Sequence, residues 1–145
     1  MFNPFAKMKR KREETVRRLL ADEFRATGNF VKAFNTKGLF NYKCFHNAVQ
    51  YATDNEGHSV VECVYIDWKQ DYNDPILHYL NEKDGVYYET TLGYRSEFMD
   101  YYIIKTVPKE DWGGISILFE NSLQVWLRKR TNWFDRNILK IDRVV

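Results

Sequence analysis

No stretch of this chain approaches the roughly 18 consecutive apolar residues that a membrane-spanning helix requires, and its mean hydropathy is low at −0.58. The sequence therefore predicts no membrane partner. Its start, Met1-Phe2-Asn3-Pro4-Phe5, leads into basic residues and an amphipathic segment without the apolar core of a secretory signal. The expected location is the cytoplasm, or the host cytoplasm if the chain is phage-encoded. Cysteine is scarce, with two in 145 residues, Cys44 and Cys63. That is too few for a disulfide scaffold, and two separate thiols are expected. A glycine-rich phosphate loop, a paired-carboxylate metal motif and a serine elbow are all missing. Internal repeats, low-complexity stretches and linkers are missing too, so residues 1–145 read as a single domain.

What the chain has in quantity is aromatic side chains, 17% of the total, which predicts a core built on Phe, Tyr and Trp. A net charge of +2 hides a marked segregation. Residues 1–50 carry 11 basic and 4 acidic side chains, residues 51–111 carry 5 and 13, and residues 112–145 carry 6 and 3. Basic ends around an acidic middle fit ends that pack on that middle, solvated faces, or a surface for a polyanion. Nucleic acid is thus a possible partner that the charge pattern alone does not favour.

The patterning predicts an α+β fold, with N-terminal helices packed on a small, mainly antiparallel sheet of about four to six strands. A helix is expected from Ala6 to Ala26, with Val16, Leu19, Leu20 and Phe24 on one face, a frayed basic start over residues 1–12, and Gly28 at its C-terminal cap. From Phe30 to Phe40 a short helical turn and a loop are expected. Asn41 is the expected N-cap of a helix from Tyr42 to Thr53. Ser59–Trp68 reads as a central strand, dense in β-branched and aromatic residues. Ile76–Leu80 and Val86–Thr91 read as a hairpin closed at Asp84-Gly85, followed by a strand from Tyr101 to Val107. Beyond Pro108 the pattern suggests a short helical turn at Lys109–Trp112, a helical stripe from Ile115 to Trp126 or a strand near Leu123–Leu127, and a last strand at Ile138–Ile141.

Three residues stand out against this framework: Cys44 opening a helix, His78 in one strand and Glu89 one hairpin further on. At a helix start, the dipole and the open backbone N–H groups favour a thiolate. A turn centred between Glu82 and Asp84 sets His78 across from Glu89, where a carboxylate fixes the imidazole tautomer. The segment His78-Tyr79-Leu80-Asn81-Glu82-Lys83-Asp84-Gly85-Val86-Tyr87-Tyr88-Glu89 resembles the His-x-Trp…Asp-Gly-x-x-x-Asp segment of small papain-like and transglutaminase-like cysteine hydrolases. Cys44-Phe45-His46-Asn47-Ala48 is similar to their nucleophile helix, and the resemblance spans residues 41–91. It implies Cys44 as nucleophile, His78 as general base and acid, and Glu89, in place of the usual Asp or Asn, as orienting residue. Asn41, His46 and Tyr79 are the candidates for oxyanion and substrate contacts.

The expected function is hydrolysis or acyl transfer at an amide or ester through a Cys-His-Glu triad, with no cofactor and no metal. A protein or a small amide or ester is the expected substrate. The composition resembles that of phage proteins, which makes a host or defence protein a possible target. The alternative is a non-catalytic binding or inhibitor protein on a degenerate hydrolase fold, with a basic polyanion surface formed from Lys7–Arg18, Arg128-Lys129-Arg130, Trp126 and Trp133. A zinc site from Cys44, His46, His58, Cys63 and His78 matches no familiar ligand spacing.

Overall fold

The computed structural model describes residues 3–36, 43–67, 74–114 and 128–141. The expected features at Asn41 and at 115–127 lie outside them. The architecture is α+β: an N-terminal helix, a second short helix and a curled mixed sheet of six strands. Among the described residues no helix is long and apolar enough to cross a membrane.

Helix α1 spans Pro4–Thr27 and is continuous through its basic start. Asn3 caps it, its side-chain oxygen accepting from the Phe5 and Ala6 N–H groups at 3.1 and 3.2 Å, and Pro4 stands at the first helical position. Gly28 follows with extended dihedrals, φ −77° and ψ 164°, so a left-handed cap is not why glycine is there. A Cβ at this position would lie 2.4 Å from the Phe24 carbonyl oxygen and 2.8 Å from Cδ1 of Tyr102. Close approach of the chain to α1 requires the glycine.

In place of the expected helical turn there are two three-residue strands, β1 (Asn29–Val31) and β2 (Ala33–Asn35), separated by Lys32 alone; the expected loop falls largely on residues 37–42, outside the described ones. Helix α2 (Cys44–Asp54) comes next, then β3 (Ser59–Asp67), β4 (Ile76–Lys83), β5 (Val86–Glu89) and β6 (Met99–Val107). The strand order is β1-β6-β3-β4-β5-β2. β1 runs antiparallel to β6 at one edge, and β2 runs parallel to β5 at the other. One residue joins the two edges, so the sheet has to curl until they meet. The backbone groups of 29–35 are taken up by both edges, and this non-local pairing outweighs the local turn signals.

Curling gives the sheet two distinct faces. The inner one gathers Cys63, Leu80, Leu92, Met99 and Tyr101, with Val31, Ala33, Tyr65, Tyr87 and Ile103 around them. Residues from both edge strands meet in this one cluster. On the outer face, Val16, Leu20, Ala21 and Phe24 of α1 pack on Val64, Ile66, Leu77 and Tyr102. Ala48 and Ala52 of α2 pack on Val60, Tyr79 and Val107. β3 is central and buried on both faces, as its apolar run predicts.

The β4–β5 hairpin closes on Asp84 (φ 53°) and Gly85 (φ 81°), a two-residue turn with both central residues left-handed. Lys83 pairs with Val86, Glu82 with Tyr87 and Asn81 with Tyr88. This register is two residues away from the expected one, so His78 and Glu89 are not directly opposite. A slip of two preserves the face on which every side chain lies, whereas a slip of one reverses it. His78 and Glu89 therefore remain on the same side as diagonal neighbours.

The last expected strand, at 138–141, is instead a helical turn, Asp135–Leu139. Asp135 is held by Arg12 of α1 and accepts from the Asn132 N–H, while Leu139 and Ile141 enter the cluster beneath α1. These anchors hold the segment against α1.

Candidate active site

Helix α2 begins at Cys44, two residues later than expected, and Lys43 at its cap position makes no side-chain capping bond. At this end the Asn47 N–H donates to the Lys43 carbonyl at 2.9 Å. The N–H groups of the first turn before it have no intrahelical acceptor. Two side chains pin α2. The Asn81 amide donates to the Ala48 carbonyl at 2.7 Å, and the Asn47 amide donates to the Thr91 hydroxyl at 2.9 Å. β5 pairs only with the last three residues of β4, so among the described residues no strand pairs with the first half of β4 on that side. Cys44 packs with the Tyr79 cluster there and lies close enough to His78 to help raise the pKa of its ring.

His78 Nε2 lies 3.0 and 2.8 Å from the two oxygens of Glu89, with both residues buried. Nε2 is committed to the carboxylate, which leaves Nδ1 as the ring nitrogen for the thiol. Glu89 is unusually well provided with donors. Its Oε1 accepts from the backbone N–H groups of Thr91 and Leu92 at 2.9 and 3.1 Å. Its Oε2 accepts from the Tyr101 hydroxyl at 2.6 Å. The Tyr65 ring meets the His78 ring edge-on, with centroids 5.1 Å apart.

These contacts set the protonation states. Burial by itself would lower the His78 pKa, but the charge of Glu89, the Cys44 hydrogen bond and the Glu89 hydrogen bond outweigh it and raise it to about 10. Burial by itself would raise Glu89, and the His78 charge together with the His78, Tyr101 and Thr91 hydrogen bonds hold it below its ordinary value. The pair is an imidazolium and a carboxylate at neutral pH. Tyr101 is raised by burial and by the Glu89 charge, so its hydroxyl stays a donor.

The three residues singled out in the sequence are therefore brought together. The accompanying candidates fare differently. Asn41 lies outside the described residues. His46 is exposed on the solvent side of α2. Tyr79 alternates to the outer face of β4 and is fully buried under α2, which makes it a support for the helix and not a contact for substrate. Cys63 pairs with His78 across β3 and β4, but it is fully buried and its pKa is pushed well up, chiefly by burial. Among the described residues no three His, Cys, Asp or Glu side chains gather as a metal site. Tyr101, Tyr65 and Thr91 complete the site without any signal of their own in the sequence pattern. Strand alternation marks Tyr101 as inward-facing, but only the order β6-β3-β4 brings it to Glu89.

Compared with protein-family models, with characterised proteins and with solved structures, the chain finds no match. The functional reading rests on the geometry of the site itself.

Proposed function

We propose that this protein is a thiol hydrolase or acyl-transfer enzyme acting on an amide or ester. The observation that carries the reading is the buried His78–Glu89 pair, with Cys44 at a helix start near enough to the ring to contribute to its raised pKa. In this scheme Cys44 Sγ attacks the substrate carbonyl carbon as a thiolate, forming a C–S bond and an oxyanion. The oxyanion is received by the open N–H groups of the first turn of α2. His78 Nδ1 then gives its proton to the leaving amine or alcohol, the C–N or C–O bond breaks, and an acyl thioester remains. Water or a second acceptor attacks the thioester while His78 takes up its proton. The C–S bond breaks and Cys44 is regenerated. Glu89 keeps the Nε2 proton in place throughout, and Tyr101 and two backbone N–H groups hold Glu89.

The order of helix-borne Cys, His strand and acidic strand also supports a papain-like or transglutaminase-like core for this sheet. A cytoplasmic setting and a host or defence protein as target rest on composition alone. Iodoacetamide labelling at neutral pH, read by peptide mass spectrometry, tests the chemistry. Cys44 is expected to react at least about tenfold faster than the buried Cys63, and His78→Ala is expected to slow it. Equal labelling of both cysteines in the folded protein would overturn the proposal.

A further inference from the structure

The two basic ends of the chain, far apart in sequence, are brought together in the fold. Arg12 Nε lies 3.0 and 3.1 Å from the oxygens of Asp135, Arg130 pairs with Glu23, and Leu139 and Ile141 share a core cluster with Val16 and Leu20. Helix α1 and residues 128–141 carry 13 basic and 5 acidic side chains in total. Asp135, the one acid of the C-terminal segment, is buried and occupied by Arg12. The same region leaves large aromatics in solvent: Trp133 is 65% exposed, Phe5 46% and Phe134 42%. Trp133 and Phe134 are neighbours, flanked by Arg128, Lys129 and Arg136.

We propose that this joined end of the molecule binds single-stranded nucleic acid, with Trp133 and Phe134 as stacking platforms for bases and Lys7, Lys9, Lys11, Arg128 and Lys129 as contacts to phosphates. Exposed aromatics set among cations are what an unpaired strand requires: every base has a face to stack and every linkage a charge to neutralise. A duplex hides its base faces, so Trp133 and Phe134 would have nothing to stack on. A bilayer surface fits less well. The exposed apolar groups, Phe5 and Met8 on α1 and Trp133, Phe134 and Ile138 on the C-terminal segment, are divided between two elements and interspersed with cations such as Lys7, Lys9, Arg10 and Lys11, not the one broad apolar face that an interfacial helix buries. Charge complementarity with an anionic strand is the stronger match. The surface stands independently of the thiol site.

Fluorescence anisotropy of the full chain with a labelled single strand of about 12 nucleotides, and with the matching duplex, tests this. The single strand is expected to bind more tightly. With five phosphate contacts its log–log salt slope is expected near −3.5, so affinity falls about a hundredfold between about 50 and 200 mM salt. Trp133→Ala is expected to weaken binding about tenfold with the slope unchanged. A combined Lys7→Gln, Lys9→Gln, Lys11→Gln variant is expected to make the slope shallower by about 2. All four side chains are partly or well exposed, and circular dichroism of each variant checks that the fold is kept. The proposal is overturned by no binding at the lowest salt, by equal affinity for the duplex, by an unchanged affinity in Trp133→Ala, or by binding to phosphatidylserine vesicles in place of the strand.

Discussion

Glu89 is the residue on which both the site and part of the core depend. Replacing it with Ala strips four donors of their acceptor at once: His78 Nε2, the Tyr101 hydroxyl, and the N–H groups of Thr91 and Leu92. Breaking a buried ion pair from one side costs about 3–5 kcal/mol, and the orphaned donors place Glu89→Ala at the upper end of that range. Glu89→Gln keeps the shape and one carbonyl oxygen, enough to serve the two backbone donors, and is expected to cost about 2–3 kcal/mol. Its amide nitrogen would face His78 Nε2, which must then accept. The ring proton moves to Nδ1, beside the thiol, so the ring can no longer take a proton there. Cys44 alkylation is expected to slow in a variant that still folds.

The pH dependence of stability carries the same information independently. The folded pKa of His78 lies above its ordinary 6.5. Its stabilisation is therefore complete below about pH 6.5 and disappears as pH rises through about 10. Glu89 is shifted down, so its contribution is present above the ordinary carboxylate range and is lost as pH falls through the lowered value. Urea unfolding of the wild type is expected to lose up to about 1.4 kcal/mol per pH unit between about pH 6.5 and 8.5. In Glu89→Gln that slope is expected to collapse. A Glu89→Ala variant within about 1 kcal/mol of wild type, or an undiminished slope in Glu89→Gln, would refute the reasoning.

Two further substitutions probe the surroundings. Tyr101→Phe removes one charge-assisted hydrogen bond without changing shape and is expected to cost about 2 kcal/mol in denaturant unfolding; a loss below about 0.5 kcal/mol would mean the 2.6 Å bond contributes little. Gly28→Ala drives a methyl against the Phe24 carbonyl and the Tyr102 ring and is expected to destabilise by about 1–3 kcal/mol; an unchanged melting temperature would show that the chain can shift away from α1.

Cys44, His78 and Glu89 are legible in the sequence because each sits in a strong local pattern. A helix start, an apolar strand and an Asp-Gly hairpin are written in contiguous residues. The hairpin register differs by two from the one those residues suggest, since β4 runs on to Lys83 through polar Asn81 and Glu82, which read locally as turn. The difference leaves the site intact, because alternation has a period of two. Tyr79 stands next to His78 in the chain, and the same alternation sends it to the outer face, away from the thiol chemistry. Tyr101 and Thr91 are invisible in the sequence because their role depends on strand order and on where the chain bends after Glu89.

Composition and periodicity alone determined that no run is apolar enough to span a membrane as a helix, that the fold is α+β, that β3 is central, and which thiol, imidazole and carboxylate are candidates for chemistry. These follow from burial patterns and turn residues, which act over a few positions. Tertiary structure decided the rest. It made strands of 29–35 by giving both sheet edges a partner, and it turned 135–139 against α1 through Arg12 and Asp135. It also gave Glu89 four donors drawn from β4, β6 and its own following turn. Each of these outcomes rests on backbone groups and charges that must find partners somewhere, and the partner found was remote in sequence.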